Sequence, residues 1–256
     1  MNTKPTLINR RTAFTLVEVI VVIFVVFLLA ALILPNFAST GRPGRHSDFN
    51  CKANFKNIGM ASASWAEDHG DLIPSKQTIA NGGWADFLTN ADQGAMCWTN
   101  YAIMADNYGL SPEELICPAD ERQPALGFTN KFNNLNVSYF VGVSASIMQP
   151  ESIFGGDRNL GPGAIPTNDY GYSPKSGKGN DVTIPTDTSK GPVSWSLKMH
   201  SRASNLGIGY ILFGDCHIQR VDTYSFNHDL LPNIPPTGNW PAGHFPATPS
   251  IRLVFP

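Results

Sequence analysis

Residues 14–34 form an apolar run, FTLVEVIVVIFVVFLLAALIL, in which Glu18 is the only charge. About 20 apolar residues is the length of a helix that crosses a bilayer. The pattern therefore predicts a membrane helix over 14–39, with Pro35 bending it because proline lacks a donor and clashes one turn back. Residues 40–46, TGRPGRH, read as a hinge, since Gly and Pro break regular structure. Beyond it, Cys51, Phe55, Ile58, Ser62 and Trp65 recur at helical spacing with Ala61 beside them. That stripe predicts a second helix that packs on a sheet. Ser47 is the expected N-cap, Asp48 falls in the first turn, and Gly70 ends it.

The remaining pattern is shorter in period. Residues 75–135 read as irregular, with Trp84, Phe87, Trp98 and Tyr101 as anchors and a short helix near Pro112 to Leu115. Alternation over 136–148 and 193–199 predicts strands. Residues 150–191, rich in Gly, Pro, Asn and Asp, read as a long surface loop. Residues 207–222 predict a hairpin with Gly214-Asp215 as a two-residue turn. Phe213 should then face Cys216, Leu212 His217, and Ile211 Ile218. Residues 226–256 are Pro-rich and expected to wrap the surface. The fold class expected is α+β: a long N-terminal membrane helix, then a second helix on an antiparallel sheet with long Gly/Pro-rich loops.

The N-terminus changes the picture. Residues 1–13, MNTKPTLINRRTA, carry Lys4, Arg10 and Arg11 and no acid, which holds that end in the cytoplasm. A secretory signal has an apolar core of about 7–15 residues and a small-residue cut site. Here the core is longer, and Leu34-Pro35-Asn36-Phe37 is a poor site.

The stretch Arg10-Arg11-Thr12-Ala13-Phe14-Thr15-Leu16-Val17-Glu18 resembles the processing motif of type IV prepilins and type II secretion pseudopilins. The resemblance implies a leader over 1–13, cleavage between Ala13 and Phe14 by a prepilin peptidase, and N-methylation of Phe14. Ala13 stands where the family usually has Gly. It also implies a role for Glu18, four residues from Phe14 and on the same helix face. In the family reading, Glu18 of an incoming subunit neutralises the Phe14 amine of a neighbour, since a buried charge is tolerable when paired. The plainer alternative is a signal anchor with a stray acid.

Composition narrows the class. Losing the leader leaves 15 Lys and Arg against 20 Asp and Glu, a net charge of −5. That argues against nucleic acid, which requires concentrated basic residues. Charged residues are only 15% and 42% are hydrophobic, which suits a loop-rich β domain and opposes disorder. The cysteines Cys51, Cys97, Cys117 and Cys216 contain no C-x-x-C pair, against a zinc ribbon or thioredoxin-like site. In an exported domain, Cys51–Cys117 is the disulfide that would tie the second helix to a loop. Four buried free thiols are the equal alternative.

Residues 51–74 extend the resemblance to a pilin-like subgroup abundant in planctomycete and verrucomicrobial bacteria, with a Cys-x-x-Asn-Leu-Lys-Gln-Ile-Gly helix. Cys51, Asn54, Phe55, Lys56, Asn57, Ile58 and Gly59 carry the match. Cys117-Pro118-Ala119-Asp120, residues 138–142, Gly156-Asp157-Arg158-Asn159, and His200 with Asp215-Cys216-His217 add to it. The last are similar to a His…Asp-Gly-His signature.

The resemblance implies a structural pilin-like subunit and not an enzyme. Its partners would be prepilin peptidase, the bacterial inner membrane and other pilin-like subunits. The placement implied is single-pass, with residues 47–256 a periplasmic domain that enters a periplasmic or extracellular filament. No cofactor is expected; structural calcium on oxygen-rich loops follows from resemblance alone, and no ligands are assigned. Two other classes remain open. His200, Asp215 and His217 could ligate a metal or serve catalysis in an anchored periplasmic hydrolase. Asp215, however, has a sufficient role in a turn. No G-x-S-x-G, H-E-x-x-H or phosphate loop is present. Exposed aromatics beside the Gly/Asn-rich loop would instead suit a polysaccharide-binding module.

Overall fold

The structure is a computed structural model that describes residues 16–37, 43–89, 96–105, 107–129, 131–187, 191–200, 206–234 and 249–256. Ala13, Phe14 and the leader lie outside the described residues. The chain divides into two units, Met1–Pro43 and Gly44–Pro256.

The first unit contains helix α1, Leu16–Phe37. Its described side chains, residues 16–29, are all exposed, and Glu18 is the one charge among them. Here the membrane helix expected over 14–39 is corrected. Among the described residues, no helix is long and apolar enough to cross a membrane. The single-pass inner-membrane placement, which rests on such a helix, does not follow.

The second unit is α+β with an antiparallel sheet. Helix α2 runs Pro43–Asp68, so it starts four residues before the expected Ser47 cap. Proline is favoured at the first helical position, where its missing N–H has no partner to lose, and Pro43 and Gly44 open the helix rather than belonging to a hinge. Gly70, at φ +68°, follows its end, and the Asp71 N–H returns to Ala66 O at 2.9 Å. The stripe Cys51, Phe55, Ile58, Ala61, Ser62 and Trp65 is buried throughout. A short helix α3, Cys97–Ala102, and several 3-10 turns fill the segment up to residue 136.

The strands are β1 Tyr139–Gly142, β2 Ile153–Asp157, β3 Leu160–Pro162, β4 Asn180–Pro185, β5 Val193–Trp195, β6 Ile208–Phe213, β7 Ile218–Asp222 and β8 Ser250–Phe255. Six form one sheet in the order β4-β8-β1-β2-β6-β7, while β3 and β5 form a separate ribbon. Both faces of the sheet are covered, because alternate residues serve opposite cores. Tyr139, Val141, Tyr210 and Leu212 join Phe55, Ile58 and Trp65 on the α2 side. Phe140, Ile211 and Phe213 join Leu160, Trp195, Phe226 and Phe255 on the other. Each large apolar side chain so buried contributes about 1.5–3 kcal/mol.

Three sequence expectations are corrected. Residues 150–191 hold β2, β3 and β4 rather than one loop. Gly155 and Gly156 signal a loop, yet they are required in β2: a Cβ on Gly156 would lie 2.5 Å from Phe140 Cζ. The 226–256 segment ends not on the surface but as β8, a central strand buried at all six positions. The β6–β7 hairpin closes one residue later than a two-residue turn allows: Leu212 faces Ile218 and Ile211 faces Gln219. Its loop is Gly214-Asp215-Cys216. The Cys216 N–H donates to Phe213 O at 2.9 Å, the Phe213 N–H to His217 O at 3.0 Å, and Cys216 sits at φ +64°. That is the three-residue hairpin, whose last loop residue is left-handed.

Candidate functional site

Four side chains from four distant segments converge beneath α2. Cys51 comes from the apolar stripe of that helix. Cys117 follows the 3-10 turn Pro112–Leu115, where Ser111 and Glu114 form a capping box. Asp157 ends β2, and His200 follows β5 in the chain. One ligand-type atom from each lies within 4.8 Å of all the others. Cys51, Cys117 and Asp157 are 0% exposed and His200 is 6%.

The contacts are specific. Cys117 Sγ lies 3.2 Å from His200 Nε2. His200 Nε2 lies 3.4 Å from Asp157 Oδ2. The Cys51 thiol donates to Asp157 Oδ1 at 3.5 Å. Each group is also held from behind. His200 Nδ1 bonds Asp48 Oδ1 at 2.9 Å, so its Nε2 faces the cluster. The Tyr210 N–H donates to Asp157 Oδ2 at 2.7 Å. Asn159 Nδ2 donates to Ser196 O, Lys198 O and Ile208 O, which ties the segment before His200 to β6. Met199, immediately before His200, is left-handed at φ +63°, a strain that persists only where the surroundings over-determine the backbone.

Burial and charge set the protonation of the cluster. Burial raises the Asp157 carboxyl to about 7. Burial would lower His200, but the Asp157 carboxylate, Cys117 and Asp48 outweigh it and bring the imidazole up to about 9. Burial, with the bond to Cys117, holds the Cys51 thiol well above its usual range. The Cys117 thiol is pushed up by burial too, yet bonds from Cys51 and His200 prevail and take it down to about 6. A thiolate–imidazolium pair with a carboxylate behind the ring resembles a nucleophilic relay. Cys117 is 0% exposed. Two sulfurs, an imidazole nitrogen and a carboxylate oxygen are equally a donor set for a cation.

The residues singled out from sequence are redistributed. Cys51 and Cys117, the expected disulfide, meet in this cluster as free thiols. His200 joins them. Asp215 and His217 do not: they lie exposed on the β6–β7 turn, where Asp215 Oδ1 accepts from the His217 N–H at 2.9 Å and meets its Nδ1 at 2.5 Å. The triad His200, Asp215 and His217 is therefore divided between the interior and the surface. Asp157 and Asp48 carry site roles that the sequence reading did not assign. Arg158, which falls in the stretch read as a long surface loop, instead pairs bidentately with Asp120, 2.6 Å through Nε and 2.7 Å through Nη2. Thus the two tetrapeptides 117–120 and 156–159 meet twice, once in the cluster and once in this ion pair. Comparison of the chain with protein-family models, with curated proteins and with solved structures finds no match.

Proposed function

We propose that the chain is a structural, pilin-like subunit of a type II secretion or type IV pilus-like assembly, and that it associates with further copies or related subunits through α1. The observation that carries this reading is the surface of α1. Residues 16–29 expose Leu, Val, Ile and Phe on all sides, with Val17, Ile20, Phe24 and Phe27 each more than half exposed, and Glu18 is the one charge. A helix apolar all round is stable only when covered, and covering each such side chain is worth about 1.5–3 kcal/mol. Copies of the same helix provide that cover. In the proposed mechanism a prepilin peptidase cuts between Ala13 and Phe14, the new Phe14 amine is methylated, and Glu18 of one subunit meets that amine on the next. The pairing fixes register while apolar packing supplies the driving force. The role is structural rather than enzymatic.

The test is the intact mass of the mature chain and the size of its assemblies in cells with an active prepilin peptidase. Expected are a chain that begins at Phe14 with one added methyl, and assemblies that disappear in Glu18→Gln while the chain level is unchanged. A mature chain that retains residues 1–13, or a Glu18→Gln chain that assembles like the parent, rejects the reading.

A further inference from the structure

We propose that Cys51, Cys117, Asp157 and His200 form a closed, structural zinc site that staples the globular unit together. This is independent of how α1 assembles.

The donor chemistry selects the metal. Calcium and magnesium take oxygen ligands, whereas two sulfurs and an imidazole nitrogen suit zinc, which accepts a carboxylate as a fourth ligand. The geometry agrees. A tetrahedron with zinc bonds of about 2.0–2.3 Å has edges of about 3.3–3.8 Å. Cys117 Sγ lies 3.2 Å from His200 Nε2, Nε2 lies 3.4 Å from Asp157 Oδ2, Cys51 Sγ lies 3.5 Å from the other carboxylate oxygen, Oδ1, and one donor atom from each residue lies within 4.8 Å of the other three. Four ligands with no open position, all buried, mark a structural rather than a catalytic site.

The supports behind the ligands point the same way. Zinc-bound histidines commonly give their second ring N–H to a carboxylate, which fixes the tautomer. Asp48 receives His200 Nδ1 in that manner, leaving the Nε2 lone pair for the metal. The Tyr210 N–H orients the Asp157 carboxylate. A disulfide between Cys51 and Cys117 would use two of the four groups and give Asp157 and His200 no reason to converge on the sulfurs. Cys97 is also 0% exposed but stands outside the cluster, its Sγ bonded to Tyr139 O at 3.4 Å. Burial of thiols alone therefore does not create the arrangement. Metal binding would join α2, the segment after Leu115, the end of β2 and the segment after β5, so that its binding energy becomes folding energy.

The experiment is elemental analysis of the full-length chain purified under reducing conditions, followed by cobalt(II) titration of the metal-stripped protein. About one zinc per chain is expected, with a thiolate-to-cobalt charge-transfer band and the intense visible absorption of tetrahedral cobalt. Cys117→Ser and Asp157→Asn should lower zinc content at least roughly tenfold, and Cys97→Ser should not. The cobalt spectrum of the unmutated chain keeps the test valid if the variants misfold. Reduced chain that carries no transition metal and gives no thiolate–cobalt band overturns the proposal. So does native chain in which Cys51 and Cys117 are joined as a disulfide.

Discussion

His200 is positioned from helix α2: its Nδ1 lies 2.9 Å from Asp48 Oδ1, across 152 positions of chain. Asp48 and Cys51 are three residues apart on one helix, so a single turn presents both a ligand-type sulfur and the carboxylate that orients the imidazole.

Asp48→Ala should therefore act on the core through His200. A hydrogen bond to a charged group contributes about 1.5–3 kcal/mol, and its loss leaves a buried ring nitrogen without an acceptor. A fall in unfolding free energy of about 2 kcal/mol is expected in urea, with Asp48→Asn losing less because its amide oxygen still accepts. Nitrogen NMR of His200 in the zinc-loaded chain provides the second check: with Nε2 on the metal, Nδ1 should carry a proton bonded to Asp48 in the parent, and that bond should be lost in Asp48→Ala.

The Asp120–Arg158 pair predicts a pH dependence. Its side chains are 0% and 2% exposed, and the Arg158 guanidinium also stacks over Tyr170, 3.3 Å from the ring centroid. Burial acts to raise the Asp120 carboxyl, but bonds from Arg158 and Ser138 outweigh it and hold it below the usual carboxylate range. A depressed folded pKa contributes stability that is fully present above the unfolded value, near ~3.9, and is lost as pH falls through the folded one. Removing the charge strands a buried arginine, at a cost of about 3–5 kcal/mol. The stability gap between parent and Asp120→Asn should thus be constant from about pH 5 to 7 and close below about pH 4. Urea titrations of both chains across that range measure it; a gap that is flat down to pH 3 contradicts the assignment.

Much of the α2 face was legible because its stripe has one period and one neighbour. Cys51, Phe55, Ile58 and Trp65 repeat at helical spacing, and nothing in the tertiary structure competes with them. Strand β8 was not, since Ile251 to Phe255 is short, interrupted by Arg252 and flanked by proline, a pattern shared by strands and wrapping segments alike. Strand β2 was hidden by Gly155 and Gly156, whose missing side chains mean a loop in isolation and close packing against Phe140 in the fold. The cluster was half visible. Cys51, Cys117 and His200 attracted notice as residue types, but no two of the four ligands are near neighbours in sequence, so no spacing motif joins them. Asp215 and His217, adjacent to one turn, drew the attention that Asp157 merited. The apolar run at 14–34 read as a membrane span from its composition, and among the described residues no helix meets that requirement.

Gly209 in β6 predicts a steric penalty. A Cβ there would lie 2.3 Å from Cε3 and Cζ3 of Trp195, itself 0% exposed. The indole cannot retreat, because it packs edge-on against Phe226 at 5.8 Å. Gly209→Ala should lower stability by at least the roughly 1–3 kcal/mol of an overpacked core, a fall in Tm of about 3–10 °C for a domain of this size. Gly127→Ala is the matched control: its Cβ would meet only Thr129 Cγ2 at 3.8 Å, and its Tm should stay within about 1–2 °C of the parent.

Cys216 provides a prediction of opposite sign. It occupies the left-handed position of the β6–β7 loop at φ +64°, which costs an L-residue about 1–2 kcal/mol and glycine nothing. Its side chain also crowds α2, for a Cβ on Gly59 would lie 3.1 Å from both Cys216 Cβ and Sγ. Cys216→Gly should raise stability by about 0.5–1 kcal/mol, the relief of backbone strain less the packing that the half-buried thiol loses. The same change should help more in a Gly59→Ala background, where it also removes the atoms that the new methyl meets. The two substitutions are therefore coupled, with a non-additive term of about 0.5–2 kcal/mol read from urea midpoints of the four chains in the cycle. Strict additivity would mean that α2 and the hairpin loop do not touch at this point. A Cys216→Gly chain less stable than its parent would mean that thiol packing, not backbone strain, governs the turn.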